Sequence, residues 1–213
     1  STFKPFAYLT ALDNGYTPCD NFTDQPVTIK YKDNGKDEVW QHNNADFHFS
    51  YQEMSLRWAM GKSVNSITAQ LTEKVGWDKI VQYAHKCGIE SPLKSVPSVS
   101  LGSNDVSVYE MVRAYSTFLN KGQKIDPLLV TKITDQQGNI IDQFELKQEK
   151  VLSEETAWLM LYMFRGGMEE PGGTSQALCE YPGLWKKDNQ ICGKTGTSSA
   201  YVYGWYMGIN KAL

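Results

Sequence analysis

The sequence predicts an α+β fold in which helices dominate the middle of the chain. Apolar residues recur at helical spacing in several segments between residues 50 and 166, and several of these segments follow a serine. Two turn signals, Asn34-Gly35 and Gly138-Asn139, lie near alternating apolar residues and predict β-hairpins. Residues 194–197 and 202–209 predict two neighbouring strands near the end.

Composition narrows the class of protein. With 213 residues and 41% hydrophobic content, the chain can form one sizeable domain or two small lobes. The net charge of −3, with no basic tract, gives no support for a nucleic-acid partner. No apolar run approaches the roughly 18 residues of a membrane span.

The spacing of the cysteines and histidines does not indicate a metal site or a redox-active cysteine pair. The four cysteines are far apart and form no C-x-x-C pair, and the three histidines lack the spacing of metal ligands. We therefore predict no metal and no cofactor. Free thiols are the default expectation, a disulfide remains open, and no histidine stands out as a base.

The first part of the chain predicts a helix and then a hairpin. Residues 1–14 have helical spacing, and Pro5 requires the helix to begin close to Ser1 because proline is tolerated only in the first turn. The hairpin turns at Asn34-Gly35. Trp40 is predicted to follow in a loop, where it either lines a binding groove or packs in the core.

The middle of the chain predicts helices that begin at serines and end at glycines. Ser50 to Glu53 forms a capping box that predicts a helix through about Met60, and a second helix spans about 66–74. Another ends at Gly88. A second capping box, Ser107 to Glu110, predicts a helix to Gly122, and Ser153 caps a last helix predicted to end at Gly166-Gly167.

Three short motifs each allow a structural and a chemical interpretation. Ser1-x-x-Lys4 is either a capping serine with a solvated lysine or a nucleophile with its base one helical turn away. Ser63-x-Asn65 is either the N-cap of a helix, at Ser63, or a polar pair held between two helices. The segment from Lys194 to Thr197 is either a glycine-containing turn or a site that combines a cation, hydroxyls and open backbone.

Taken in order, the three motifs resemble the set found in penicillin-binding proteins and related serine β-lactamases. The resemblance extends over nearly the whole chain and is greatest for the transpeptidase domain of bifunctional (class A) penicillin-binding proteins. Stretches that carry it include Pro5-Phe6, residues 59–66, residues 97–102, Glu110-Met111 and Gly204-Trp205. The chain departs from the family at His42, where proline is usual, and at Tyr203, where an acidic residue is common.

The resemblance implies a fold with a helical lobe packed on an antiparallel sheet. The family has further strands before the serine motif, and a final strand and helix beyond the point that matches Leu213. Residues 1–213 are therefore expected to be a partial transpeptidase domain with an incomplete sheet, poorly folded or weakly acylated by itself. The resemblance also implies glycosyltransferase and membrane-anchor segments in the same polypeptide. It implies a position on the periplasmic face of the cytoplasmic membrane.

The resemblance also implies an activity, namely the cross-linking of peptidoglycan stem peptides through an acyl-enzyme from a D-Ala-D-Ala donor. β-Lactams would acylate the same serine. The implied catalytic residues are Ser1 as nucleophile, Lys4 as base, Ser63 as proton relay, Asn65 and Lys194. The implied substrate-binding residues are Thr195, Gly196, Thr197 and Trp40.

Three alternatives stay open. A serine β-lactamase shares the motifs but adds a glutamate for deacylation, and residues 91–104, where we expect it, contain no Glu or Asp. A β-lactam-sensing receptor domain would be acylated without turnover. An N-terminal-nucleophile hydrolase would use the α-amine of Ser1 as its base, but this leaves the other motifs unexplained.

Overall fold

The computed structural model describes residues 1–181, 183, 191–197 and 204–210. The helices of this part are α1 (Pro5–Asp13), α2 (Leu56–Lys62), α3 (Asn65–Val75), α4 (Trp77–Cys87), α5 (Val108–Leu119) and α6 (Glu154–Glu169). Its strands pair antiparallel in twos: β1 (Asn21–Thr23) with β4 (Glu53–Ser55), β2 (Thr28–Asp33) with β3 (Lys36–Gln41), β5 (Gln123–Ile125) with β8 (Gln148–Lys150), β6 (Lys132–Thr134) with β7 (Ile140–Gln143), and β9 (Cys192–Thr197) with β10 (Gly204–Ile209). The α+β class predicted from the sequence is confirmed.

Helix α1 lies in the centre of the helical core. Every residue from Pro5 to Leu12 is buried, as expected for a helix that is apolar on most of its surface. It packs against α3, α4 and α6, and its position is fixed further by the hydroxyl of Tyr115, which donates to the Thr2 carbonyl at 2.6 Å. The segment that begins with Ser1 and Lys4 is therefore held rigidly.

Helix α2 begins later than the sequence predicts. Ser50 to Glu53 does not open a helix, because Glu53 starts β4, which pairs with β1. The N-cap is Ser55 instead, whose hydroxyl accepts from the Trp58 N–H at 3.2 Å. Here strand pairing with a distant segment overrides the local capping signal.

The turn between α2 and α3 also differs from the capping hypothesis. Ser63 is the C-cap of α2, with a left-handed backbone (φ 62°), and Val64 occupies the N-cap of α3. Left-handed φ values are uncommon for residues other than glycine, asparagine and aspartate. The turn directs both oxygens of Ser63 toward α1.

Helices α2 and α6 approach each other closely through glycine. A Cβ on Gly61 would lie 2.4 Å from the Gly166 carbonyl oxygen, so neither helix tolerates a side chain there. The prediction that α6 ends at Gly166-Gly167 is wrong, since it continues to Glu169. Gly166 and Gly167 instead allow close packing within the helix. Buried Arg57 of α2 also forms ion pairs with the carboxylates of Glu169 and Glu170.

Both predicted hairpins are confirmed, and two strand pairs are additional. Asn34 and Gly35 have φ values of 50° and 81° and join β2 to β3. Trp40, predicted in a loop, lies in β3 opposite Ile29. The pairs β1–β4 and β5–β8 were not predicted because each strand has only three residues and its partner is distant.

The 91–104 segment is attached to α5 through the predicted capping box. The carboxylate of Glu110 accepts from the Ser107 hydroxyl at 2.6 Å, from the Ser91 N–H at 2.6 Å and from the Ser91 hydroxyl at 2.8 Å. These bonds outweigh the effect of burial and hold the pKa of Glu110 well below its usual range; the largest contribution is the bond from Ser107. Gly102, near the end of this segment, lies against Ser1 and Phe3, which precede α1.

The last two strands lie beside the helices. In the register of β9 and β10, Lys194 faces Met207 and Gly196 faces Trp205. The second of these strands was predicted from residue 202, but residues 202 and 203 lie outside the described part. None of the helices in that part is long and apolar enough to cross a membrane.

Candidate active site

Lys4 is a buried lysine whose amine hydrogen-bonds three oxygens. It lies at the start of α1 and is only 2% exposed. Its Nζ donates to Asn65 Oδ1 at 2.5 Å, to the Ser63 carbonyl at 2.6 Å and to Ser63 Oγ at 3.2 Å. Three oxygen acceptors thus surround one amine, whose charged form has three donor positions.

Lys194 reaches the same serine from β9. It is also 2% exposed, and its Nζ donates to Ser63 Oγ at 2.8 Å and to the Thr195 carbonyl at 3.1 Å. Ser63 Oγ therefore lies between two lysine amines. The sequence motifs in α1, at the α2–α3 turn and in β9 meet at this hydroxyl.

Both lysines lie in an environment that disfavours their charge. Desolvation lowers the pKa of Lys4 well below its usual value, and the positive charge of Lys194 lowers it further. Burial lowers the pKa of Lys194 to about 8. Within the part of the chain that the structure describes, neither lysine forms a salt bridge with a carboxylate. The site thus holds a deprotonated amine more readily than an exposed lysine does.

Ser1 lies at the edge of this cluster. Its hydroxyl accepts from the Phe3 N–H at 3.1 Å, and a Cβ on Gly102 would lie 2.3 Å from its Oγ. Gly102 has a left-handed backbone (φ 82°), which favours glycine for a second reason. Only a residue without a side chain leaves room for the serine oxygen here.

A cavity of about 180 Å³ opens beside Ser1. Its lining is mixed and includes the polar side chains of Ser1, Thr2 and Asn104. The apolar lining includes Val106, Met111, Trp205 and Met207. A ligand in this cavity would lie against the serine hydroxyl.

The remaining residues of the β9 motif have different surroundings. Thr195 Oγ1 lies 2.7 Å from Thr174 Oγ1, and Thr197 is exposed at the strand end. A Cβ on Gly196 would lie 3.0 Å from Thr2 Cγ2 and 3.1 Å from Thr2 N. The missing side chain of Gly196 lets β9 approach Thr2 closely, and the contact of its backbone with a ligand stays a prediction.

Trp40 lies apart from the hydrogen-bonded cluster. Its ring stacks on His42 with centroids 6.0 Å apart and an interplanar angle of 9°. Partial burial and then the positive charge of Lys4 lower the pKa of His42. Trp40 itself is half-buried, and its part in substrate binding stays a prediction.

Several residues of the site were not singled out from the sequence. Gly102, Thr174, Asn44 and Asp24 all contact residues of the three motifs or their neighbours. Thr174 follows Pro171-Gly172-Gly173, a sequence typical of a turn, and Asn44 stands in none of the three motifs. In the described ranges, no group of three His, Cys, Asp or Glu side chains could hold a metal ion.

The helical core with the adjacent strand pair has the fold of penicillin-binding protein transpeptidase domains. The family model described as "Penicillin binding protein transpeptidase domain" matches residues 1–212. The chain belongs to this family.

Curated relatives give the same result. The chain is 33% identical over 217 residues to penicillin-binding protein 1B of Haemophilus influenzae, covering 99% of this chain and 26% of the relative. It is 29% identical to penicillin-binding protein 1A of Aquifex aeolicus, covering 100% of this chain and 28% of the relative. The chain thus spans about a quarter of the length of these relatives.

Solved structures agree on the fold. The crystal structure of penicillin-binding protein 1A from Haemophilus influenzae superposes with a TM-score of 0.85 at 26% identity, over 98% of this chain and 35% of the other. The imipenem acyl-enzyme complex of penicillin-binding protein A from M. tuberculosis superposes with a TM-score of 0.75 at 22% identity, over 99% and 51% of the two chains. At 22% identity, the comparison with penicillin-binding protein A shows similarity of fold only.

Proposed function

We propose that the protein is a peptidoglycan D,D-transpeptidase that works through a serine acyl-enzyme. The observation that carries this proposal is the position of Ser63 Oγ, 3.2 Å from Lys4 Nζ and 2.8 Å from Lys194 Nζ. A hydroxyl between two amines forms a path for a proton, and the buried lysine next to a serine supplies a base without histidine. Membership of the transpeptidase family supports the same chemistry.

In the proposed acylation, Ser1 Oγ attacks the carbonyl carbon between the two D-alanines of a donor stem peptide. Lys4 accepts the serine proton, and the Oγ–C bond forms. The C–N bond then breaks, Ser63 relays a proton to the departing amine, and the last D-alanine leaves. To act as this base Lys4 must be neutral, and burial and then the positive charge of Lys194 lower its pKa well below the usual value.

The other motif residues bind the donor in this proposal. Thr195 and Thr197 hydrogen-bond the terminal carboxylate, and Lys194 attracts it electrostatically. Asn65 holds the donor amide and orients Lys4. Backbone N–H groups of Ser1 and Thr197 form the oxyanion hole, where one donor contributes about 3–4 kcal/mol to the transition state. Trp40 lines the groove.

In the second half of the reaction, the amine of a neighbouring stem peptide attacks the acyl-enzyme and completes the cross-link. Peptidoglycan lies outside the cytoplasmic membrane, so the site works on the extracytoplasmic face. The relatives are much longer than this chain, and we propose that glycosyltransferase and membrane-anchor segments belong to the same polypeptide. β-Lactams, which resemble the donor, acylate Ser1.

The test is a turnover assay on the full-length protein with a stem peptide that ends in D-Ala-D-Ala. With an added acceptor amine, we expect release of D-alanine and a new amide product by mass spectrometry, both lost in Ser1→Ala. Rapid hydrolysis of penicillin with no amide product would favour a serine β-lactamase. Stable acylation by penicillin with no release of D-alanine would favour a sensing receptor domain.

A further inference from the structure

The first turn of α3 is held by a side chain from a distant loop. Its N-cap, Val64, has no side-chain acceptor for the free N–H groups of the helix. Asn44 supplies the missing acceptor. Its Oδ1 accepts from the Asn65 N–H at 3.0 Å and from the Ser66 N–H at 3.1 Å. A buried side chain 21 residues earlier thus performs the capping that the local sequence cannot.

The orientation of the Asn44 amide is determined by groups that can only accept. Its Nδ2 donates to Asp24 Oδ1 at 2.7 Å and to the His48 carbonyl at 2.9 Å. A carboxylate and a carbonyl cannot donate, so the nitrogen must face them and the oxygen must face α3. Asp24 therefore determines which end of Asn44 meets the helix.

Asp24 is itself buried and fully engaged. It is 4% exposed and accepts from Ser66 Oγ at 2.6 Å, from Ser50 Oγ at 2.8 Å and from the Ser50 N–H at 2.9 Å. Burial would raise its pKa, but the hydrogen bonds, led by that from Ser66, outweigh burial and lower it. A carboxylate beside the N-terminus of α3 is also favoured by the helix dipole.

The same loop determines the direction of the Asn65 side chain. Asn65 Nδ2 donates to the Asn43 carbonyl at 2.8 Å, and Asn65 Oδ1 accepts from Lys4 Nζ at 2.5 Å. Because the Asn43 carbonyl accepts only, Oδ1 is left facing the lysine. Neighbouring residues 43 and 44 thus hold both the side chain and the backbone of Asn65.

We propose that Asp24 and Asn44 are positioning residues that act through Asn65 on Lys4. Neither contacts the lysines or the serines of the motifs by a hydrogen bond in the described part of the chain. Their effect on the reaction is to hold Asn65 Oδ1 on Lys4 Nζ, so that the base keeps its direction during acylation. The inference rests on the proposed function, since it assigns a purpose to the orientation of Lys4.

A double-mutant cycle separates positioning from simple stabilisation. In the full-length protein, acylation by a fluorescent penicillin is timed for Asp24→Asn and Asn44→Ala, each with Asn65 intact and in an Asn65→Ala background. We expect each substitution to slow acylation about tenfold when Asn65 is present, because small misplacements of reacting groups reduce rates strongly. In the Asn65→Ala background we expect a change of less than about twofold.

Ser107→Ala is the matched control, because Ser107 caps α5 and also hydrogen-bonds a carboxylate, that of Glu110. It should lower the unfolding temperature without changing the acylation rate in either background. If Asn44→Ala does not fold, Ser50→Ala removes one donor from Asp24 and leaves Asn44 in place. It should slow acylation about twofold, again only when Asn65 is present.

Equal slowing in the two backgrounds, or no slowing with Asn65 present, would overturn the inference. So would an Asn65→Ala variant that is acylated at the normal rate. Each of these results leaves the proposed function intact, provided that the unchanged protein is labelled on Ser1. Failure of that labelling would instead overturn the proposed function.

Discussion

Lys4 and Lys194 hydrogen-bond the same hydroxyl oxygen, Ser63 Oγ, at 3.2 Å and 2.8 Å. Lys4 reaches it from α1 and Lys194 from β9, and both are buried. Two buried amines this close disfavour each other's charge. The arrangement therefore couples the protonation of one lysine to the presence of the other.

The first prediction is that removing the charge of Lys194 raises the pKa of Lys4. In the proposed mechanism acylation requires neutral Lys4, so its rate rises as pH increases through the pKa of that lysine. Desolvation and the charge of Lys194 lower this pKa, and Lys194→Met removes the second cause. The acid limb of the rate against pH should therefore move to higher pH.

Lys4→Met gives the contrasting result. It removes the proposed base, so acylation should fall by about 10²- to 10⁴-fold at every pH. Lys150→Met, at an exposed lysine remote from the motifs, is the control and should change neither rate nor profile. Normal acylation by Lys4→Met would rule out the lysine-base mechanism.

The second prediction concerns the contact between Gly102 and Ser1. Gly102→Ala places a Cβ 2.3 Å from Ser1 Oγ, so the serine must move, and acylation should fall by about 100-fold. Gly138→Ala is the matched control, because Gly138 has a similar φ of 90° and no atom within 4 Å of the added carbon.

Both alanine variants should lose about 1–2 kcal/mol of stability from the left-handed backbone. Only Gly102→Ala should lose acylation rate, measured with fluorescent penicillin on folded protein. Equal rates for the two variants would mean that the serine does not need the space that Gly102 leaves.

The third prediction concerns the thiols. All four cysteines are free in the structure; Cys19 and Cys179 are exposed, and Cys87 and Cys192 are buried. Burial raises the pKa of both buried thiols to about 12, which suppresses the reactive thiolate. Brief alkylation of native protein, followed by peptide mapping, should modify the exposed pair only.

Alkylation in denaturant provides the control, since all four thiols should then react. Cys192 is the informative one, because it begins β9 two residues before Lys194. Rapid modification of Cys192 in the native protein would contradict the position of that strand.

The sequence predicted those parts of the site whose chemistry is carried by residue type. Ser1, Lys4, Ser63, Asn65 and Lys194 stand in short motifs of nucleophilic and cationic residues. In the structure, the last four of these are joined by hydrogen bonds. Helix caps that act locally, such as Ser107 and Ser153, were also predicted and are confirmed.

Features that depend on distant contacts could not be predicted. The Ser50 capping signal is overridden because β4 pairs with β1, about 30 residues earlier. Asn44 caps a helix that begins 21 residues after it, and no periodicity indicates such a partner. Gly102 looks like an ordinary turn glycine until the fold brings Ser1 against it.

The most direct measurement is the mass of the protein after incubation with a penicillin. We expect a single covalent adduct with the mass of the intact drug, located by peptide mapping on Ser1, which persists for many minutes. Ser1→Ala should show no adduct, while Ser107→Ala should be labelled like the unchanged protein. An adduct on another residue, or one that survives in Ser1→Ala, would contradict the assignment of Ser1 as the nucleophile.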